Sequence, residues 1–370
     1  MRSVDAVTET PIEEATPDAE APEAAPAPNI DWDLAASLGR KVARPGPRVT
    51  RYTMDQIHAE LAEASVRAEA PVREVTGLAD GLRVPTARIV DRAGWINAAA
   101  QSMPAMFGDR TAPDEDPGLV QNALGKVAGV QAGGLLAFLS GAILGQYDPF
   151  SIDDATGEAG LLLLVAPNIL AAERQLRAVP SDFRLWVCLH EVTHRVQFSA
   201  NPWLAGYMQE NVATLTDDAG ESTLDMITRL NESVRSGRSR EKGMLGLMQL
   251  LQAPEQRDAM DRVLVLGTLL EGHADHVMDA VGPALVPTVA DIRAGFDARR
   301  QRPQNPLQRL IRALIGMDAK IAQYVRGKAF VDAVVAEVGM DAFNTVWTSP
   351  ETMPLIGEID KPDQWIARVL

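Results

Sequence analysis

The chain has 370 residues, 46% of them hydrophobic, enough to bury a large core as one big domain or two lobes. Its 35 basic and 50 acidic residues leave a formal net charge of −15, which argues against nucleic acid or an anionic membrane surface as partner. A single cysteine, Cys188, excludes an internal disulfide framework and fits a reducing, cytoplasmic compartment.

Residues 1–29 are mostly Ala, Pro, Glu and Thr, with seven acids and one base. Such a segment cannot offset its own ordering entropy and is expected to be a disordered tail. It lacks a basic region followed by an apolar core, so it does not read as a signal peptide. The folded domain is expected over 30–370. ARPGP at 43–47 is a rigid turn, and the stretch from Thr53 reads as a helix broken at Pro71, with His58 on its boundary side. Residues 91–107 read as a further helix, closed by a loop at 108–118. Residues 127–147 carry no charge over 21 positions and hold two GxxxG spacings, Gly129/Gly133 and Gly141/Gly145. Five glycines, two glutamines and a serine dilute the hydropathy, and the flanks carry no basic girdle. The stretch is expected to be a buried helix or helix pair, without stable membrane insertion. LLLLVAPNIL, residues 161–170, is the clearest strand, ended by Pro167-Asn168.

The next element organises the rest. Pro180-Ser181 reads as a helix start with Ser181 as N-cap, and Asn201-Pro202 as its stop. Between them lies His190-Glu191-Val192-Thr193-His194, an HExxH motif. Residues four apart on a helix are about 40° apart in projection, so the two imidazoles aim at one point. Zinc takes imidazole nitrogen at about 2.0–2.1 Å, and two such ligands form half of a tetrahedral site. Glu191 lies beside them without ligating, placed to take a proton from an attacking water. Leu185, Cys188, Leu189, Val192 and Val196 form an apolar stripe, which makes Cys188 a core residue.

A catalytic zinc site needs a third protein ligand. Residues Pro254 to Val281 read as a long helix carrying LLEGHADHVMDA. Glu271 and Asp275 share a face at i,i+4, so Glu271 can ligate while Asp275 accepts the N–H of a ligating imidazole. His273 and His276 are rivals for the third position. Gly267, one turn before Glu271, is expected to admit a neighbouring helix. Residues 232–242 read as a mixed-charge polar loop, and 307–339 as strongly helical.

HEVTHRVQF followed by NPWL and then EGHAD resembles the actinobacterial zincin-like family of zinc-dependent hydrolases, some associated with biosynthesis of the deazaflavin cofactor. IDWDLAASLGRKVARPGP, LSGAILGQYDPF and the C-terminal FNTVWTSPETMPLIGEIDKPDQWIARVL agree, so the resemblance runs from about Ile30 to Leu370. ExxxD after HExxH is also similar to the gluzincin arrangement, in which Glu is the third ligand. The resemblance implies a mainly α fold with a small β-sheet (α+β), a zincin-like metalloprotease fold with an active-site cleft. In zincins a strand ahead of the motif helix borders that cleft and can pair with an extended peptide. On the same grounds Tyr147 is expected to line the cleft.

The reading is hydrolysis of an amide, a peptide bond in a peptide or protein substrate, with one Zn2+ ion held by His190, His194 and Glu271. Glu191 is the base, Asp275 supports a ligand, and Tyr147, His273 and His276 are candidates for oxyanion or substrate contact. Two rivals are a silent zincin-like binding protein with zinc as a structural clip, and a hydrolase anchored in a membrane through 127–147.

Overall fold

The computed structural model describes residues 30–107, 119–153, 157, 159–216, 254–300 and 317–370. The expected tail, the loop at 108–118, the polar loop at 232–242 and the first part of the expected 307–339 helix lie outside these residues.

The architecture is mainly helical around a small sheet of order β1-β3-β2. Strand β3 (Ala159–Val165) lies in the centre, parallel to β1 (Arg88–Val90) and antiparallel to β2 (Gly145–Ile152), with Gly145 opposite Leu164 and Asp148 opposite Leu161. Leu161 through Val165 are all buried, which explains an unbroken apolar run in place of alternation. Leu162 and Leu164 enter one core with Val187, Cys188, Leu189 and Val192. Leu161, Leu163 and Val165 enter another with Ala35, Trp95, Ile96 and Ala99. The sheet thus separates the helix that carries the motif, α7 (Pro180–Ala200), from α1 (Trp32–Val42), α4 (Arg92–Phe107) and α5 (Leu119–Leu139).

Four boundaries differ from the sequence reading. The strand at 161–170 ends at Val165, and Pro167 sits in the first turn of α6 (Ala166–Leu176), where its missing N–H costs nothing. The break placed at Pro71 comes at Ala68, between α2 (Arg51–Arg67) and α3 (Glu69–Thr76), and Pro71 again falls in a first turn. Val179, not Ser181, is the N-cap of α7, with Pro180 in its first turn. Asp182 accepts hydrogen bonds from the Thr288 N–H (3.0 Å) and hydroxyl (2.7 Å). The uncharged stretch 127–147 is the end of α5, a turn, and the start of β2.

That last stretch is not a buried helix. Gly129 and Gly133 lie on its buried face: a Cβ on Gly129 would lie 2.5 Å from the Asp31 carbonyl oxygen, and one on Gly133 would lie 2.7 Å from that of Ala35. GxxxG therefore admits the backbone of α1. Leu124, Val127, Val130, Leu135 and Phe138 lie outward, between 37% and 57% exposed. Absence of charge marked a close helix contact, not full burial. Among the described residues, no helix is long and apolar enough to cross a membrane.

Helix α8 (Trp203–Thr216) follows the motif helix, and α9 (Pro254–Leu285) packs against it. The other wall of α9 is α11 (Met317–Phe343), which follows α10 (Val289–Arg300) and precedes the C-terminal α12 (Pro362–Val369). Leu266, Leu269 and Leu270 of α9 pack there with Phe330, Val334, Phe343, Trp347 and Trp365. The glycine that permits this contact is Gly272, not Gly267. A Cβ at 272 would meet the Gly327 backbone at 2.2 Å, while one at 267 meets nothing within 4 Å.

This pair gives a contrast. Gly272→Ala forces α9 and α11 apart beside Glu271 and is expected to cost about 1–3 kcal/mol, the range for overpacking. Gly267→Ala, exposed in a helix interior, is expected to stabilise by up to about 1 kcal/mol. Melting temperatures of the two variants should move in opposite directions; movement in the same direction would place the helix crossing elsewhere.

Candidate active site

Helix α7 presents three functional faces, and each has a cause in the sequence. The apolar stripe Leu185–Cys188–Leu189–Val192–Val196 is buried against the sheet, α2 and α6. A second face carries Arg184 and Arg195, eleven residues apart and so within about 20° of each other. Arg184 pairs with Glu173 of α6 at 2.9 Å and with Glu60 of α2. Arg195 pairs with Glu69 of α3 and donates to the Pro85 carbonyl at 2.6 Å. Both guanidiniums are buried, and breaking such a pair costs about 3–5 kcal/mol because the remaining charge is stranded. These anchors were missed in the sequence; two arginines at three-turn spacing on a largely apolar helix were the available signal. The third face carries His190, His194 and Gln197. The helix ends at Ala200, and Asn201 donates its side-chain N–H to the Gln197 carbonyl at 2.8 Å.

Glu271 approaches that third face from α9. His190 Nε2 and His194 Nε2 are 3.2 Å apart. Glu271 Oε2 lies 3.3 Å from the first and 3.7 Å from the second. A tetrahedral site with arms of about 2.0–2.1 Å has ligand–ligand edges of about 3.3–3.4 Å. Glu271 Oε2 is buried and has no hydrogen-bond partner. This donor set and the unpartnered oxygen fit a zinc ion. Among the described residues it is the one cluster of three or more His, Cys, Asp or Glu close enough to hold a metal.

The electrostatics agree with a cation between these groups. Burial works to lower the His190 pKa, but the Glu271 carboxylate 3.3 Å away, with Glu191 and Asp275 behind it, holds it up to about 9. Burial works to raise Glu271, and the two imidazoles hold it well below the usual carboxylate range. In the metal-free protein a proton on His190 thus takes part of the role of a cation.

Glu191 is buried and turned toward β2. A Cβ on Gly145 would lie 2.6 Å from its Cγ and 2.9 Å from its Oε1, so only glycine leaves room for this carboxylate. Burial raises the Glu191 pKa, against the pull of His190 and His194. Asn168 holds the turn that delivers Gly145, donating to the carbonyls of Ser140 (2.7 Å) and Ile143 (2.6 Å). The strand bordering the site is therefore β2, which among the described residues is at the edge of the sheet. The expected β3 is paired on both sides and can add no further chain.

The remaining candidates are dispersed. Asp275 lies one turn after Glu271, with its carboxylate 3.5 Å from Arg293. His276 Nδ1 lies 2.7 Å from Asp332 Oδ1. His273 is fully buried, stacked at 5.4 Å from both Phe343 and Trp347, and burial pushes its pKa down to about 3. Tyr147 packs on Phe198 at 5.7 Å and bonds to Ser199, and its hydroxyl fills the space a Cβ at Gly160 would need. Gln197, not among the sequence candidates, contacts His194 Nδ1 at 2.9 Å.

The model of the zincin-like metallopeptidase family matches residues 30–366. The structure resembles the crystal structure of a proposed hydrolase with a novel fold from Chloroflexus aurantiacus, with a TM-score of 0.63 and 32% identity over 92% of this chain and 98% of that one. No curated protein matches the chain.

The His190 shift gives a pH dependence for the metal-free protein. Its folded pKa is raised above the ordinary value near 6.5, so the stability contributed by the His190–Glu271 pair is complete below about pH 6.5 and is lost as pH rises through about 9. In chelator-treated protein, Glu271→Gln should lower the melting temperature most at neutral and acidic pH, with the difference from wild type shrinking toward pH 9. A difference independent of pH would show that the two groups do not share a proton.

Proposed function

Because the chain belongs to the zincin-like metallopeptidase family, we propose that it is a zinc-dependent hydrolase that cleaves an amide bond, most simply a peptide bond in a peptide or protein substrate. The observation that carries the reading is the convergence of His190, His194 and the partnerless carboxylate oxygen of Glu271 on one point, with the carboxylate of Glu191 alongside. His190, His194 and Glu271 would hold one zinc ion. When bound, zinc supplies Lewis acidity, acidifying a water toward neutral pH and polarising the substrate carbonyl.

The protein's own groups do the rest. Glu191 accepts the proton of the attacking water and returns it to the departing amine. Its raised pKa suits both duties, because a weaker acid is a better base and still gives up its proton to an amine. Gly145 keeps space for this carboxylate and begins an edge strand. An extended peptide could add to the edge of β2 that no described strand covers, using backbone hydrogen bonds for affinity. Asp275, whose charge reaches His190, keeps that imidazole basic from behind. Placement in the actinobacterial branch of the family is part of the same proposal and rests on the sequence stretches that resemble it. So does a cytoplasmic setting, suggested by the single buried thiol.

Zinc-to-protein ratios and cleavage of a peptide library test the reading together. Glu191→Gln should keep near-normal zinc and lose at least about a hundredfold in rate, the usual scale for a missing general base. Glu271→Ala should abolish tight zinc binding, Asp275→Ala should weaken it about ten- to a hundredfold, and His276→Ala should keep stoichiometric zinc. Full zinc in Glu271→Ala together with lost zinc in His276→Ala or His273→Ala would replace the third ligand with a histidine. Zinc without cleavage of any peptide by wild type would favour a structural clip.

A further inference from the structure

We propose that Gln197 and His273 form a positioning pair that fixes the tautomer of His194 and joins α7 to α9 at the residue before Glu271. The inference rests on the metal-site reading for its purpose, though its geometry stands independently.

The Leu270 carbonyl oxygen can only accept, so the Gln197 side-chain atom 3.0 Å away must be the amide nitrogen. That same nitrogen lies 2.9 Å from His273 Nδ1. An amide nitrogen has two hydrogens, one for each acceptor. The amide oxygen is then the atom 2.9 Å from His194 Nδ1, which must donate to it. With its proton on Nδ1, His194 turns a bare lone pair at Nε2 toward His190 and Glu271, as a metal ligand requires.

The reversed amide is excluded by the same partners. It would set oxygen against the Leu270 carbonyl oxygen, which has no hydrogen to give. It would also offer N–H to His194 Nδ1, moving the imidazole proton to Nε2, where it would point into the ligand cluster. The Leu270 carbonyl therefore enforces one orientation, and the second N–H of the amide then makes His273 Nδ1 an acceptor. Water cannot readily substitute, because Gln197 and His273 are both fully buried and Phe343 and Trp347 wall the His273 ring at 5.4 Å each. His273 keeps its own proton on Nε2, an atom that is buried without a partner. The lock has a mechanical consequence as well. Gln197 lies three residues after His194 and bonds to the carbonyl immediately before Glu271, so one side chain sets the spacing between ligands carried by different helices.

The direct test is nitrogen-15 spectroscopy of the histidine rings in metal-free wild-type protein at about pH 8, above the ordinary histidine range. His194 should show its proton on Nδ1 and His273 on Nε2. Zinc affinity is the second readout. Gln197→Leu should weaken it about ten- to a hundredfold, the usual effect of losing the group that orients a ligating imidazole. His273→Phe should weaken it about tenfold and give mixed His194 tautomers, and His273→Asn, which restores an acceptor near the position of Nδ1, should recover both. A His194 proton on Nε2 in the wild type would overturn the proposal, as would unchanged affinity in folded Gln197→Leu. Should a variant fail to fold, the wild-type spectrum still decides. Should wild type bind no zinc, the metal-site reading fails, while the tautomers still report on the lock.

Discussion

Everything distinctive here follows from placing the carboxylate of Glu271 in a buried position opposite two imidazoles. A lone ionised carboxylate is expensive to bury, and the expense falls only when positive charge lies within a few ångströms. Oε2 has that charge available from His190 at 3.3 Å, with the His194 ring at 3.7 Å, and it has no hydrogen-bond partner. The site is therefore poised for a cation. A proton on His190 partly satisfies it, and zinc would satisfy it while leaving a coordination position for water.

The scaffold is arranged to keep the two helices carrying these groups from moving apart. On one side, α7 is held by buried guanidiniums, Arg184 on Glu173 and Arg195 on Glu69. On the other, α9 is pressed against α11 where Gly272 and Gly327 let the backbones touch. Between the helices, Gln197 bridges directly from His194 to the Leu270 carbonyl. A ligand shift of half an ångström would spoil tetrahedral coordination, and each of these contacts resists such a shift. The sheet contributes differently. Its central strand is buried on both faces and serves as the wall between two cores, while the edge strand β2 brings Gly145 to Glu191.

Sequence reasoning and tertiary structure divide along a physical line. Local periodicity and a short-range motif determined the helical setting of His190, Glu191 and His194, because four-residue spacing on one helix needs no other part of the chain. The same reasoning put Glu271 on a long helix and left His273 and His276 as rivals, while the resemblance to the gluzincin arrangement favoured Glu271 as the third ligand. The apolar run of Leu161–Leu164 was legible as a strand because burial on both faces leaves no room for alternation.

What only the tertiary structure decided were relations between elements distant in sequence. Which strand borders the site depends on pairing order, and a pairing order has no local signature. Hence β3 was expected where β2 lies. Gly267 and Gly272 are equally plausible helix contacts until α11 is placed, and its backbone then selects Gly272. The uncharged stretch around Gly129 and Gly133 looked buried because hydropathy cannot say which face of a helix meets a neighbour. Helical spacing puts Gln197 on the same face as His190 and His194 but gives it no partner. Its role exists only because the Leu270 carbonyl and the His273 ring arrive from another helix, over seventy residues away, and leave its amide a single orientation.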